Sequence, residues 1–379
     1  MVLGATYDSS STLMSVNAGS PKTVTSRRVL SSEVPTKLKS TTTTPAPSRK
    51  RRLLPGLRST HIQVPLDNNT ATEPLHLPLN ELFSIEDVVQ SYPGLMEQHD
   101  ALLEADVVQY GKETKGKVEQ YVYIHQGELG HALAKNCDVL LSDRATTCHI
   151  LAFRSRSGRA AALSTLTHLD GTNYTKCIKA AIEFHRQHHE DDEAIQIDVH
   201  VAGGFSDGKE TSAKITKWLF HLLADLAAKY KDTITFTLRT ACVTALNDRN
   251  GTPRVRGLSI HCGTGHIRLA KAICLGPLPP LRAARIWANS RTLHTVHSTD
   301  GRLRIPKFAW KAVPDYLLKL PDATLKQQCS TSPDAEEDDF CVHLRQTFTF
   351  LQVMTPSQVF GDRSGLEFAR CRQNLWVPV

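Results

Sequence analysis

Two short segments carry the strongest indications of fold and function in this sequence: Leu140-Leu-Ser-Asp-Arg-Ala-Thr-Thr-Cys-His149 and Leu166-Thr-His-Leu-Asp-Gly171. Cys148 comes just before an apolar run at 150–153, and His168 follows a second apolar run. If the two runs are neighbouring strands, the thiol of Cys148 lies close to the imidazole of His168. A thiol that can pass its proton to a nearby His can act as a nucleophile, because the thiolate is the attacking species.

The alternative interpretation of Cys148 is structural. In a chain with nine Cys and 17 His, a Cys and a His can come together by chance, and Cys148 could be a small core residue after a turn. The polar neighbours favour an accessible site, because they are unusual at the start of a purely structural strand: Asp143, Thr146, Thr147 and His149. Backbone N–H groups in such a turn can also bind an oxyanion.

The positive charge of this chain is concentrated at its start. Residues 1–58 contain ten of the 45 basic and two of the 38 acidic residues, a net charge of +8. The rest of the chain has 35 basic and 36 acidic residues and is close to neutral. A DNA-binding face is therefore not supported, and nucleic acid is not an expected partner.

The nine Cys are scattered and lack a CxxC pair, which is typical of reduced thiols in a cytoplasmic or nuclear protein. No apolar run approaches the ~20 residues of a membrane span, so no membrane partner is expected. The start of the sequence lacks the charged-then-apolar order of a secretory signal. The basic run Arg49-Lys-Arg-Arg52 is either a nuclear-import signal or part of a solvated tail. A transit peptide is a third interpretation, which Asp8 weakens.

Apolar periodicity predicts an α+β fold with a largely antiparallel β-sheet core and helices packed outside it. Residues 1–58 are rich in Ser, Thr and Pro and are expected to form a disordered tail. Residues 59–379 are expected to form a single domain in which order begins near Leu75. Residues 139–141 are expected to continue the sheet of the Cys148 and His168 strands, and 334–339 to form an acidic linker.

The individual elements follow from the same patterns. Helices are predicted to begin at Ser84, as an N-cap, and at Pro93, and to cover 174–188, 212–230 and 340–353. Further strands are predicted at 118–125, 195–201, 233–246, 255–261, 266–272, 292–296 and 303–308.

Three other polar turns have both a functional and a structural interpretation. Gly203-Gly-Phe-Ser-Asp207 either approaches a ligand or connects a strand to a helix with Ser206 or Asp207 near its N-cap. Asn247-Asp-Arg249 is either part of the rim of the site or an ordinary turn. His261-Cys-Gly-Thr-Gly-His266 offers only three soft ligands without a second half-site, so no metal is expected.

Five blocks of sequence together resemble one family, the eukaryotic protein N-terminal asparagine amidohydrolases, over roughly residues 77–379. They are Asp143-Arg-Ala-Thr-Thr-Cys-His149, Leu166-Thr-His-Leu-Asp-Gly-Thr172, Val199-His-Val-Ala-Gly-Gly-Phe-Ser-Asp207, Cys242-Val-Thr-Ala-Leu-Asn-Asp-Arg249 and Cys329-Ser-Thr-Ser-Pro333. The resemblance implies deamidation of an N-terminal Asn of a protein or peptide to Asp, with release of ammonia and without a cofactor. It also implies that Cys148 is the nucleophile.

The family's place in the cell suggests further partners. The new N-terminal Asp can be arginylated, which marks the protein for degradation by the N-degron pathway. The resemblance therefore implies a functional link to arginyl-transfer and ubiquitin-ligase machinery. The long tail at 1–58 departs from the compact members of the family and leaves the choice of compartment open.

A more distant resemblance is to the bacterial chemotaxis-receptor glutamine deamidases. These pair a Cys with a downstream His at about the spacing of Cys148 and His168, and carry a hydroxyl residue six positions before the Cys. Ser142 holds that position here, where the relatives have Thr. This resemblance implies an α/β/β sandwich-like fold, His168 as the base and a catalytic role for Ser142.

Recognition of a chain terminus requires a carboxylate that accepts the α-ammonium group of the substrate. Four carboxylates are candidates, in the order of preference Asp170 and then Asp207, followed by Asp143 and Asp248. Two other functions remain open: a broader Cys-dependent Asn or Gln side-chain deamidase, which would accept N-acetylated peptides, and a non-enzymatic interaction protein. A papain-type protease is disfavoured, because the Cys148 segment lacks that family's pattern.

Overall fold

A computed structural model of the chain describes residues 56–66, 71–78, 84–112, 119–156, 162–171, 174–189, 194–288, 293–371 and 375–379. The predicted tail lies outside the described residues up to residue 55. The expectation that order begins near Leu75 is wrong, because a strand already begins at Leu57. That strand pairs with two others and so extends the folded part into the segment predicted as tail.

The strands, in chain order, are β1 Leu57–Pro65, β2 Thr72–Pro78, β3 Val108–Tyr110, β4 Tyr121–Tyr123, β5 Glu128–Leu133, β6 Val139–Ser142, β7 His149–Arg156, β8 Leu163–Leu169, β9 Ile195–Gly203, β10 Ile234–Val243, β11 Leu258–His261, β12 Ile267–Ala272, β13 His294–His297, β14 Leu303–Pro306, β15 Gly365–Arg370 and β16 Trp376–Pro378. Among the described residues, eleven of them form one sheet in the order β16-β15-β14-β13-β5-β8-β7-β9-β10-β1-β2. The other five form a second sheet, β3-β12-β11-β6-β4. Most neighbours are antiparallel, as predicted, with parallel pairs at β5–β13, β9–β10, β1–β10, β3–β12 and β4–β6.

The helices are α1 Ile85–Gln90, α2 Pro93–Glu104, α3 Tyr174–Gln187, α4 Thr211–Lys229, α5 Pro279–Trp287, α6 Tyr316–Lys319, α7 Asp322–Cys329, α8 Phe340–Val353 and α9 Pro356–Phe360. Local signals explain several of their bounds. Ser84 caps α1 by accepting the backbone N–H of Asp87, and Pro93 occupies the first turn of α2, where no hydrogen-bond donor is needed. The predicted bounds of α8 agree with the structure, whereas α5, α6, α7 and α9 were not predicted.

Alternation along β7 shows how the layers are arranged. Leu151 and Phe153 belong to a core shared with α1 to α4, while Ile150 and Ala152 belong to a second core that includes residues of β6 and β11. Successive side chains of a strand point to opposite faces, so one face of the larger sheet packs against α1 to α4 and the other faces the smaller sheet. The predicted α/β/β sandwich is confirmed.

Two predictions about connectivity are wrong. Residues 139–141 do not continue the sheet of β7 and β8, because β6 pairs with β11 and β4 in the second sheet. The segment 334–339 is no linker, since it begins within a short 3-10 helix, Pro333–Ala335, and leads directly into α8. Both differences bring additional residues to the Cys148 region.

Candidate active site

Cys148 lies directly before β7, which pairs with β8 in an antiparallel register. Ile150 is opposite His168, so Cys148, two residues earlier, shares the face of His168 and is its diagonal neighbour. Diagonal neighbours have Cα atoms roughly 7–8 Å apart, with side chains still able to meet. The prediction that the two runs form neighbouring strands is confirmed.

Cys148 and His168 line the same cavity, which has a volume of about 610 Å³. Other lining residues come from the turn before β7, from α5, from the segment 328–331 and from the start of α8. The cavity lies on the face of the larger sheet that is turned toward the second sheet, where Cys148 packs against the second core. A cavity of this size falls within the range of about 300–1,000 Å³ that is typical of ligand sites.

The hydrogen bonds of Ser142 determine the tautomer of His168. The Ser142 hydroxyl donates its only hydrogen to the carbonyl of Ile124 at 2.6 Å, so its oxygen accepts the Nδ1–H of His168 at 2.8 Å. The lone pair of the neutral imidazole is therefore on Nε2. His168 is only 3% exposed, and its Nε2 has no hydrogen-bond partner among the described residues.

The surroundings of Cys148 and His168 favour the neutral form of both side chains in the substrate-free protein. Burial lowers the pKa of His168 to about 4, against the opposing effects of Asp170 and Glu128. Burial also raises the pKa of the Cys148 thiol, and the negative charges of Asp170 and Glu336 raise it further. The resting site is thus a neutral thiol beside a neutral base, and a thiolate forms only if the proton moves to His168.

The turn that presents Cys148 is held in place at three points. Asp143 accepts hydrogen bonds from the hydroxyl of Tyr123 and the backbone N–H of Ala272, each at 2.7 Å. Arg144, which has a left-handed backbone with φ of 60°, forms an ion pair with Asp339 at 3.1 Å. The hydroxyls of Thr147 and Thr331 are 2.7 Å apart.

Of the four carboxylates predicted as ammonium acceptors, Asp170 and Asp143 line the cavity. Asp170 accepts a hydrogen bond from the side-chain amide of Gln126 at 3.4 Å, whereas Asp143 is buried and already accepts the two bonds that hold the turn. Asp207 accepts three backbone N–H groups at the start of α4, and Asp248 accepts the backbone N–H of Gly251 in a turn. Neither Asp207 nor Asp248 is part of the cavity lining.

The Gly203-Gly204 turn approaches protein backbone rather than a ligand. The N–H of Gly204 donates to the carbonyl of Cys148 at 2.9 Å, and a Cβ on Gly203 would lie 2.3 Å from that same oxygen. Asn247 also stabilises this turn, because its buried side-chain amide donates a hydrogen bond to the carbonyl of Gly204 at 2.7 Å. The third and fourth sequence blocks therefore act as the scaffold of the Cys148 turn.

Glu336 is a cavity residue that sequence reasoning missed. Its carboxylate accepts a hydrogen bond from the hydroxyl of Ser330, burial raises its pKa, and its charge acts on Cys148. The available signal was the position of the acidic run directly after the Cys329-Ser-Thr-Ser-Pro333 block. The composition of that run, however, predicts an acidic linker.

The described part of the chain offers neither a cluster of metal ligands nor a membrane-spanning helix. Nowhere in it do three or more His, Cys, Asp or Glu side chains come together in a group that could hold a metal ion. Nor does any helix there have both the length and the apolar character to cross a membrane.

Comparison with known proteins places this architecture in one family. The model of the family named protein N-terminal asparagine amidohydrolase matches residues 111–378. Curated proteins of that name from Sus scrofa and Homo sapiens are 31% identical over 306 residues, which is 78% of this chain and 94% of each relative. One from Arabidopsis thaliana is 25% identical over 319 residues, covering 76% of this chain and 87% of the relative. Matched over most of its length, the chain belongs to the protein N-terminal asparagine amidohydrolase family.

Proposed function

We propose that this protein hydrolyses the side-chain amide of an N-terminal Asn to give N-terminal Asp and ammonia, with Cys148 as the nucleophile. The observation that carries the proposal is the unpartnered Nε2 of His168, a neutral base in the cavity that Cys148 also lines. The names of the relatives support the substrate and the reaction.

The mechanism follows from the protonation states of the two groups. Nε2 of His168 takes the thiol proton of Cys148, and Sγ attacks the amide carbon of the Asn side chain. Backbone amides of the turn before β7, including that of Cys148, stabilise the oxyanion. The imidazolium then protonates the leaving nitrogen, because ammonia leaves far more readily than its anion. Water attacks the thioester with His168 again as base, which releases the new carboxylate and restores the thiol.

Ser142 acts through His168. By accepting the Nδ1–H, it holds the ring in the tautomer whose lone pair faces the cavity, which is the form that can accept the thiol proton. Selectivity for a chain terminus is assigned to Asp170, whose carboxylate lines the cavity and whose charge acts on Cys148. An α-ammonium group bound there would also reduce the negative field that disfavours the thiolate.

The product defines the proposed biological role. An N-terminal Asp is the class of terminus that arginyl transfer modifies, so we place this reaction before arginylation and ubiquitin-dependent degradation, in the N-degron pathway. Proteins and peptides with an N-terminal Asn are the proposed substrates, and the cytoplasm or nucleus is the proposed location.

The first experiment measures ammonia release from a short Asn-initiated peptide, with a Gln-initiated and an N-acetylated peptide alongside. The wild type is expected to release ammonia from the free Asn peptide alone, and Cys148→Ala to abolish release. His168→Ala should lower kcat by about 10²–10⁴-fold, the usual contribution of a general base. Ser142→Ala should lower kcat less than His168→Ala does. Ser142→Thr, which keeps a hydroxyl group, should retain more activity than Ser142→Ala.

The control variant is Cys274→Ala, which removes an exposed thiol outside the cavity lining and should leave release unchanged. Full activity in Cys148→Ala would refute the assignment of the nucleophile. Release from the acetylated or Gln peptide at a comparable rate would replace the proposal with a broader deamidase.

A further inference from the structure

Helix α5 buries two charged side chains beside Leu281 and Ala284 and leaves other apolar side chains partly exposed. Arg282 and Arg285 are buried, at 1% and 2% exposure, while Ile286 is half-buried and Trp287 is 36% exposed. A surface helix normally buries its apolar stripe and leaves its charges in water. Because Leu281 and Ala284 already supply the buried apolar packing of α5, its partly exposed apolar stripe is available for another contact.

The buried arginines have their partners inside the protein. The guanidinium of Arg282 pairs with Glu128 and also donates to the carbonyls of Tyr123 and Leu275. Despite the opposing effect of burial, Arg282 and neighbouring positive charge lower the pKa of Glu128 to about 2. Arg282 thus lies on the buried face of α5 together with Leu281 and Ala284, and the opposite face of the helix meets the cavity.

The opposite face of α5 is a wall of the cavity that Cys148 and His168 line. Five of its residues line the cavity and lie on one side of the helix: Pro279, Pro280, Ala283, Ile286 and Trp287. The ring of Trp287 packs edge-on against Phe348 of α8, with centroids 5.1 Å apart, so the indole is supported although it is partly exposed. An apolar stripe that lines a concave site is typical of ligand contact.

The geometry of the reaction determines which part of the substrate can lie against this wall of the cavity. An N-terminal Asn has a chain that continues in one direction only, and with its side chain at Cys148 the rest of the peptide must leave through the same cavity. The cavity is larger than a single Asn residue requires. The residues immediately after the Asn are therefore the occupants that reach α5.

We propose that the apolar face of α5 is a subsite for the second and third residues of the substrate and that it selects apolar side chains there. This inference rests on the proposed function. The remaining lining disfavours acidic side chains, because its carboxylates outnumber its Lys and Arg side chains. The carboxylates are Asp143, Asp170, Glu336, Glu337 and Asp339, and the guanidinium groups are those of Arg144 and Arg256.

The test compares kcat/KM for Asn-initiated peptides that carry Leu, Gly or Glu at the second position, and a parallel set varied at the third. We expect Leu to exceed Gly by about tenfold at one or both positions, the low end for an apolar pocket contact, and Glu to be the poorest. Trp287→Ala should bring the ratio of Leu to Gly close to one. Ile286→Thr replaces apolar side-chain surface by a hydroxyl group and leaves the side chain only one non-hydrogen atom smaller. It should reduce the same ratio with less risk to folding.

Val353→Ala provides a matched control, since Val353 lies on α8, is 66% exposed and is outside the cavity lining. It should keep the wild-type ratio. Equal kcat/KM for Leu and Gly at both positions would overturn the subsite while leaving the proposed function intact. A ratio that persists in both α5 variants would likewise overturn it, and release from none of the peptides would overturn the proposed function as well.

Discussion

At the scale of single residues, the chemistry of the site depends on which atoms carry the protons of Ser142, His168 and Cys148. Ser142 donates to a backbone carbonyl and therefore accepts from His168, which leaves Nε2 as the base. The neutral thiol is favoured by burial and by the charges of Asp170 and Glu336. Ionisation of Cys148 is thus coupled to the arrival of a positive group, and the α-ammonium of a substrate has that charge.

Asp170→Asn is expected to raise KM for the free Asn peptide by about 10–100-fold, with a smaller change in kcat, because it removes a charge-assisted hydrogen bond worth about 1.5–3 kcal/mol. Steady-state kinetics of ammonia release measures both constants. Glu336→Gln is tested beside it, since Glu336 is the other carboxylate whose charge acts on Cys148. Asp248→Asn, outside the cavity lining, is the control. An unchanged KM in Asp170→Asn with a raised KM in Glu336→Gln would transfer the role to Glu336.

At the scale of elements, the end of β9 sets the position of Cys148, the proposed nucleophile. Gly203 has a φ of 133°, and its Cα faces the backbone of Cys148 and His149 too closely for any side chain. The chain there uses glycine for close packing of two backbones. The position of the Cys148 turn therefore depends on a neighbouring strand as well as on its own sequence.

Gly203→Ala should lower the free energy of unfolding by at least about 1–3 kcal/mol, the usual cost of a strained backbone conformation, and should also reduce ammonia release. Urea denaturation followed by circular dichroism gives the first quantity. Gly208→Ala is the matched control, because a Cβ there would meet nothing within 4 Å. Equal stability of the two variants would show that the β9 turn tolerates a side chain.

At the scale of the whole molecule, the fold buries several neutral His side chains. Burial lowers the pKa of His131 and His149 to about 3, and that of His200 and His297 to about 4. Each of these groups binds its proton more weakly in the folded protein than in the unfolded chain, where the pKa is about 6.5. The unfolded state therefore takes up more protons as the pH falls below that value.

Stability is accordingly expected to be highest above about pH 6.5 and to fall toward about pH 4, by up to about 1.4 kcal/mol per pH unit for each buried His. Urea unfolding at pH 7.5, 6.5 and 5.5 measures the slope. His200→Gln should reduce the slope, whereas His221→Gln, at an exposed position, should keep it. A free energy of unfolding that is constant over this range would contradict the prediction.

Local sequence patterns were sufficient for the parts of the structure that local physics controls. The bounds of α8, the N-cap Ser84 and the antiparallel pairing of β7 with β8 follow from apolar periodicity and chain proximity, and with that pairing comes the approach of Cys148 to His168. The five sequence blocks were also sufficient to identify the family. The helix bounds and the strand pairing depend on residues that are close together in the chain, whereas the family needed all five blocks taken together.

Only the tertiary structure decided the contacts between distant segments. Ser142 meets His168 because β6 belongs to the second sheet, and Glu336 reaches the cavity because the acidic segment folds back before α8. The partly exposed apolar face of α5 lines the cavity because Leu281, Ala284 and Arg282 occupy the opposite, buried face. Each contact joins residues whose relation is set by the packing of whole layers. Periodicity within one segment shows that a face is apolar, but the burial of that face depends on its partner in space.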